Sequence, residues 1–130
     1  MSCSGGADPE IKDIENYIKS KNLTIIDTLG IYVAMDLRGI DTIKPSSEVT
    51  LEYTGTYLDD EIFDMTPEGA PVVIKMSNII KGLQLGLQLF GKKGEGTIIV
   101  PSNLGFAANP PRGIRNNATL VYKVKIDHFE

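Results

Sequence analysis

The residues of this sequence that could do chemistry are mainly aromatic and aliphatic side chains near the ends of predicted elements, with few titratable groups among them. A concave, largely apolar surface with a few polar groups is the usual site for a small ligand or a peptide. Alternatively, the same side chains only fill the core, and their types and spacing leave both interpretations open. The candidate pocket residues are Tyr53, Phe63, Ile79, Ile80, Leu83, Phe106 and Tyr122.

Several other classes of chemistry are disfavoured by composition. The single histidine, His128, lies close to the end of the sequence, and we predict a solvated tail residue rather than a catalyst or a metal ligand. We find no P-loop, dinucleotide-binding, zinc-hydrolase or CxxC motif. The net charge is −4 and the basic residues are scattered, which argues against nucleic acid as a partner. We therefore expect neither a metal nor a cofactor.

The first seven residues, MSCSGGA, are similar to the mature start of a bacterial lipoprotein, where a cysteine precedes a Ser/Gly spacer. We predict a flexible segment over residues 1–7, with a lipid on Cys3 as the only membrane contact. The alternative is an arbitrary terminus with a free thiol. Asp8 and Pro9 then predict the start of a helix that ends near Asn22. This helix could pack on the domain or mediate dimerisation.

The elements that must position the candidate pocket follow from a change of hydrophobic period. After short strands at 23–28 and 31–36, residues 49–57 alternate strictly and predict the clearest strand. A later helix is predicted after Ser77, its expected N-cap. Further strands complete an α+β architecture, a sheet covering a helix. The predicted core positions are Leu51, Leu87, Leu120, Val124 and Ile126.

Four blocks carry a resemblance to a known family: VTLEYTGT from Val49, Phe63-Asp64, IIKG from Ile79 and NATLVY from Asn117. In this order they closely resemble FKBP-type peptidyl-prolyl cis-trans isomerases, over roughly 60% of the chain. The resemblance implies an FKBP-like antiparallel β-sheet wrapped around a short α-helix. It places the isomerase domain at 48–130 and an N-terminal helical extension at 8–47.

The same resemblance implies an enzyme that rotates X-Pro peptide bonds, and it assigns roles residue by residue. The implied substrate-binding residues are Val72, Ile79, Leu83, Ile114 and Tyr122. The implied catalytic residues are Tyr53, Phe63, Asp64, Ile80 and Phe106, with the backbone N–H of Ile80 receiving a ligand carbonyl. We interpret Asp64 as a hydrogen-bonding partner that orients Tyr53, and the alternative is a turn carboxylate.

The sequence departs from the family pattern at three pocket positions. Leu83 stands where the family has a tryptophan floor, Phe106 where it has a tyrosine hydroxyl, and Val72 where it has an aromatic ring. Arg115-Asn116 also replaces a Pro-Pro pair before the last strand. We therefore expect reduced isomerase activity. A catalytically weak chaperone or proline-peptide binding module is the alternative.

The partners implied by the resemblance are proline-containing polypeptides, and macrolide inhibitors are candidate ligands. The lipoprotein-like start favours the bacterial cell envelope, either in the periplasm or as an outer-membrane lipoprotein, where the domain would assist protein folding. Without that signal the expectation would be a cytoplasmic protein.

Overall fold

The computed structural model describes residues 9–106 and 110–130. The predictions made for residues 1–7, for the lipid on Cys3 and for Asp8 as a helix cap lie outside these residues. The described residues form two α-helices, two short 3-10 helices at Met76–Asn78 and Ser102–Leu104, and seven strands. Their bounds are α1 Pro9–Ser20, β1 Ile26–Thr28, β2 Ile31–Leu37, β3 Glu48–Thr56, β4 Ile62–Met65, β5 Val72–Lys75, α2 Lys81–Leu87, β6 Glu95–Val100 and β7 Leu120–Phe129.

All seven strands belong to one antiparallel sheet in the order β1-β2-β6-β7-β3-β4, with β5 also pairing with β3. The sheet and the helix that it covers confirm the predicted α+β fold. The strands of the N-terminal extension pair directly with this sheet, because β2 lies beside β6. The β1–β2 turn uses Leu29 and Gly30 at φ 55° and 84°, as a two-residue type I′ hairpin requires.

The main core lies between α2 and one face of the sheet. The five positions predicted as core from the sequence are buried in it, which confirms that prediction. The helix approaches β6 closely because Gly82 and Gly86 face the sheet: a Cβ at these positions would lie 2.3 Å from Val100 Cγ1 and 2.6 Å from Ile98 Cγ2. This close contact sets the depth of the space at the start of α2.

Helix α1 packs on the opposite face of the sheet. Ile14 and Tyr17 form a second, smaller buried cluster with Ile99 of β6 and Val121 of β7. Because neighbouring residues of a strand point to opposite faces, Ile99 points away from Ile98, which belongs to the main core. Helix α1 therefore packs on the domain, which is one of the two interpretations of this helix from the sequence, and dimerisation through it stays a prediction.

Three local predictions differ from the structure. Leu23 precedes β1 and packs in the cluster beneath α1, so the first strand is shorter than predicted. Ser77 is not a helix cap, because it lies in the 3-10 turn before α2 and the N-cap position belongs to Ile80. His128 is a strand residue near Thr50 and Asp127 with a side chain 45% exposed, rather than a free tail residue.

Candidate functional site

A concave pocket of about 190 Å³ opens where the start of α2 faces strands β3, β4 and β7. It combines two tyrosines, one carboxylate and one amide side chain with aliphatic and phenyl groups. Seven of the ten site residues predicted from the sequence line it. The lining residues are Tyr53, Asp64, Ile74, Asn78, Ile79, Ile80, Leu83, Phe106 and Tyr122.

The polar part of the pocket is a pair formed across β3 and β4. The Tyr53 hydroxyl donates a hydrogen bond to Asp64 Oδ2 at 2.9 Å. Antiparallel pairing places Asp64 opposite Gly55, two residues beyond Tyr53, which brings the two side chains to the same mouth. Burial, followed by the hydrogen bond and the charge of Asp64, raises the pKa of Tyr53 to about 12. The phenol is therefore a neutral donor at physiological pH.

Phe63 supports this pair from behind the pocket surface. Its ring packs edge-to-face on Tyr122 with 5.7 Å between ring centroids, and it lies 5.0 Å from the Tyr57 ring. The ring occupies the space above Gly55, where a Cβ would lie 2.7 Å from Phe63 Cζ. Tyr53 completes the cluster at 6.1 Å from Tyr122. Burial is the main cause that raises the pKa of Tyr122, so this phenol also stays neutral.

The start of α2 supplies the opposite wall. Ile80 is the N-cap residue, with an extended backbone at φ −61° and ψ 153°. The Gln84 side chain donates from Nε2 to the Ile79 carbonyl oxygen at 2.8 Å. The C=O and N–H of a trans peptide point in opposite directions. Gln84 therefore holds the Ile79–Ile80 peptide with its N–H directed away from Gln84.

The pocket floor and the remaining wall are apolar. Leu83 is 6% exposed and belongs to the main core, so the floor is aliphatic. Phe106 follows the 3-10 turn after β6 and contributes a ring without a hydroxyl. These placements put two of the three departures from the family pattern on the inner surface of the pocket.

Three predicted site residues are not lining residues. Phe63 lies behind Gly55, as described above. Val72 lies on β5, where it pairs with Leu51 of β3. Ile74, two residues further along β5 and on the same face, reaches the pocket instead. Ile114 lies on the loop before β7, whose next residue donates its backbone N–H to the Tyr57 hydroxyl at 3.1 Å. Ile114 itself is half-buried and does not line the pocket.

Two lining residues, Ile74 and Asn78, were missed by the sequence analysis. The alternation of β5 could have indicated Ile74, because Val72 and Ile74 occupy the same face of a strand. Asn78 closes the 3-10 turn between β5 and α2, and no periodic pattern indicates the direction of such a turn.

A larger cleft of about 560 Å³ is lined mainly by threonines and by charged side chains, including Glu52, Glu95 and Lys125. We prefer the smaller pocket as the functional site because an apolar wall beside a few polar groups suits a peptide side chain better.

Within residues 9–106 and 110–130, no cluster of three or more His, Cys, Asp or Glu residues could hold a metal ion. No helix in the same ranges is long and apolar enough to span a membrane.

Comparison with known proteins identifies the class. The FKBP-type peptidyl-prolyl cis-trans isomerase family matches residues 40–127, which include every described pocket residue. The chain belongs to this family. The match leaves α1, β1 and β2 outside it.

Among curated relatives, the probable FKBP-type isomerase FkpA of Neisseria meningitidis is 40% identical over 80 residues, covering 60% of this chain and 29% of that protein. FkpA of Escherichia coli K12 is 27% identical over 113 residues, which cover 86% of this chain and 42% of that protein. This chain therefore spans less than half the length of these relatives. The crystal structure of Escherichia coli FkpA superposes with a TM-score of 0.82 at 26% identity, covering 95% of this chain and 60% of that one. A Pseudomonas syringae isomerase structure with a TM-score of 0.78 and 16% identity shares the fold over 99% of both chains.

Proposed function

We propose that this chain is a peptidyl-prolyl cis-trans isomerase that acts on proline-containing polypeptides and assists their folding. Membership of the family supports this proposal. The observation that carries it is the position of the Tyr53–Asp64 pair in the same apolar pocket as the Ile79–Ile80 peptide. Such a pocket can hold a proline ring against apolar walls while polar groups at the mouth orient the adjoining backbone.

The residue set suits a reaction that makes and breaks no covalent bond. Rotation about a peptide bond faces a barrier of ~18–20 kcal/mol, mainly because the twisted state loses amide resonance. That state is less charge-separated than the planar amide, so an apolar pocket favours it over the ground state. In this proposal the Ile80 N–H donates to a substrate carbonyl. Asp64 fixes the direction of the Tyr53 hydroxyl and does not act as a base.

The two departures on the pocket surface predict reduced activity. Phe106 cannot donate the hydrogen bond of a tyrosine, a loss worth about 1 kcal/mol, or several-fold in rate. Leu83 replaces an aromatic floor and removes a comparable amount of ring contact. The retained Tyr53–Asp64 pair supports a weakened enzyme rather than an inactive one.

A second candidate is a chaperone or proline-peptide binding module with little turnover. The specific observation in its favour is the absence of a hydroxyl on the Phe106 wall. Binding of a proline ring needs only apolar contact with the pocket. Acceleration of the rotation about the X-Pro bond needs interactions that strengthen in the twisted state. The two candidates therefore differ in turnover and not in affinity.

We also propose the bacterial cell envelope as the location, because relatives such as the FkpA proteins of Neisseria meningitidis and Escherichia coli come from bacteria. The lipid on Cys3 stays a prediction from the sequence, and intact-mass measurement of protein purified from membranes would detect it. Macrolide binding stays a prediction as well, and a titration monitored by tyrosine fluorescence would detect it.

The test of the proposed function is a protease-coupled isomerase assay on short X-Pro peptides. We expect turnover above the uncatalysed rate in the wild type, and a loss of most of it in Asp64→Leu. Asp13→Leu is the matched control, because Asp13 is an exposed carboxylate on α1. Turnover that survives in Asp64→Leu at the level of Asp13→Leu would contradict the assignment of the site.

A further inference from the structure

The N-terminal extension contacts the loop that carries part of the pocket through one carboxylate. Glu10 lies in the first turn of α1. Its Oε2 accepts hydrogen bonds from the Ser102 backbone N–H at 2.7 Å and from the Thr119 hydroxyl at 2.5 Å. Its Oε1 accepts from the Ser102 hydroxyl at 2.9 Å. One carboxylate thus binds two residues that are 17 positions apart in the sequence.

These two residues lie beside the ends of two neighbouring strands, β6 and β7. Ser102 begins the 3-10 turn that follows β6, and Thr119 directly precedes β7. Thr119 is 8% exposed, so its hydroxyl is paired where water has little access. Hydrogen bonds to an ionised acceptor are stronger than neutral ones, and the cost of leaving buried donors unpaired is high. The carboxylate therefore holds the turn after β6 and the residue before β7 against α1.

The position of Ser102 is transmitted to Phe106 over a short, hydrogen-bonded path. Leu104 N–H donates to the Pro101 carbonyl at 3.0 Å, and Gly105 N–H donates to the Ser102 carbonyl at 3.1 Å. Phe106 follows this closed turn directly and lines the pocket. A displacement of Ser102 must therefore move the phenyl wall, because the residues between them form a single turn.

We propose that Glu10 is a positioning residue for the Phe106 wall, so that the N-terminal extension sets the shape of the proline pocket. The proposal rests on the proposed isomerase function for its kinetic consequences and on the hydrogen-bond geometry for its structural ones. Glu10 lies outside residues 40–127, the range that matches the family. The residue that positions the Phe106 wall therefore belongs to a part of the chain that the family match does not cover.

The kinetic test compares Glu10→Ala with Glu15→Gln, which changes the charge of an exposed residue on the same helix. We expect kcat/KM to fall about five-fold in Glu10→Ala, mainly through a higher KM, because a bound proline contacts the wall before and during rotation. Glu15→Gln should match the wild type. Glu10→Gln should recover part of the loss, since its amide oxygen still accepts from Ser102 and its NH₂ can donate to the Ser102 hydroxyl.

A double-mutant cycle separates positioning from general stability. In a Phe106→Ala background there is no ring to position, so Glu10→Ala should cause no further loss of kcat/KM. An equal loss in both backgrounds would overturn the proposal. If Glu10→Ala fails to fold, Thr119→Val removes one of the same hydrogen bonds from the loop side with a side chain of the same shape. Thr119→Val should then raise KM, as we expect for Glu10→Ala, and an unchanged KM would count against the proposal.

Amide hydrogen exchange gives a readout that does not depend on activity. We expect the Leu104 and Gly105 amides to exchange at least about five-fold faster in Glu10→Ala than in Glu15→Gln, because the turn loses its anchor. Equal amide exchange rates in these two variants would overturn the proposed positioning role of Glu10 even if the wild type is active. A wild type without turnover would contradict the proposed function instead, and faster exchange would still support the positioning role.

Discussion

The contact between α2 and the sheet yields a prediction whose size follows from the structure. A Cβ on Gly82 would lie 2.3 Å from Val100 Cγ1, 3.0 Å from Cγ2 and 3.1 Å from Cβ. Favourable carbon–carbon contacts lie at about 3.5–4.0 Å. Val100 is fully buried on β6, which is flanked by β2 and β7, so it has little room to move. Gly82→Ala must therefore push the start of α2 outward by roughly 1 Å.

Two opposing terms decide the stability of this variant. Alanine is favoured over glycine inside a helix by up to about 1 kcal/mol. Overpacking a buried site costs about 1–3 kcal/mol, and a clash this short belongs at the upper end. We expect a net destabilisation of about 1–2 kcal/mol. We also expect a several-fold lower kcat/KM, because Ile80 and Leu83 move with the helix start.

Urea denaturation and the peptide isomerase assay measure the two effects, and Val100→Ala supplies the control. The smaller side chain removes the two methyl groups that clash, so the double variant should be less destabilised than the sum of the single variants. Its kcat/KM should also recover relative to Gly82→Ala. Additive losses of stability, or a Gly82→Ala variant as stable as the wild type, would refute the reasoning about the close contact.

Three further predictions concern the pocket residues and Gln84, which orients the peptide at the start of α2. Phe106→Tyr combined with Leu83→Trp should raise turnover several-fold in the isomerase assay, because a donor and an aromatic floor are added; no gain would refute our explanation of the reduced activity. Tyr53→Phe should destabilise the fold by roughly 0.5–1.5 kcal/mol in urea denaturation at pH 7. The folded-state pKa of Tyr53, about 12, lies above its unfolded value of 10. The contribution of the neutral Tyr53 phenol to the free energy of unfolding is therefore complete below pH 10 and is lost as the pH rises through 12. The wild type should therefore lose more stability than Tyr53→Phe over that range, and parallel pH profiles would contradict this. Gln84→Leu should raise KM in the same assay, because the peptide at the helix start loses its orienting donor, and an unchanged KM would show that the donor is dispensable.

The sequence predicted those parts of the fold in which a periodic pattern coincides with burial. Strand β3 alternates because one face meets the main core, so Val49 and Leu51 could be placed on that face before the structure was known. The family resemblance added the pocket, since Tyr53 and Asp64 come from blocks with recognisable motifs. Their hydrogen bond agrees with the interpretation of Asp64 as the partner of Tyr53.

The remaining features depend on contacts that no local pattern encodes. Glu10 meets Ser102 and Thr119 across 92 and 109 residues, and an acidic residue in a first helical turn is equally well explained by the helix dipole. Ser77 was a wrong cap prediction because a 3-10 turn precedes α2. Val72 and Ile74 share a strand face, and only the tertiary packing decides which of them reaches the pocket.

The central claim, that this pocket accelerates X-Pro rotation, is tested most directly by NMR exchange spectroscopy on a labelled X-Pro peptide with a catalytic amount of protein. Uncatalysed exchange takes tens to hundreds of seconds. We predict exchange cross-peaks on a timescale of about one second or less, a rate well above the uncatalysed one. Addition of the peptide should also shift the backbone amide resonance of Ile80. Exchange that stays at the uncatalysed rate while the peptide binds saturably would contradict the enzyme and identify a proline-peptide binding module.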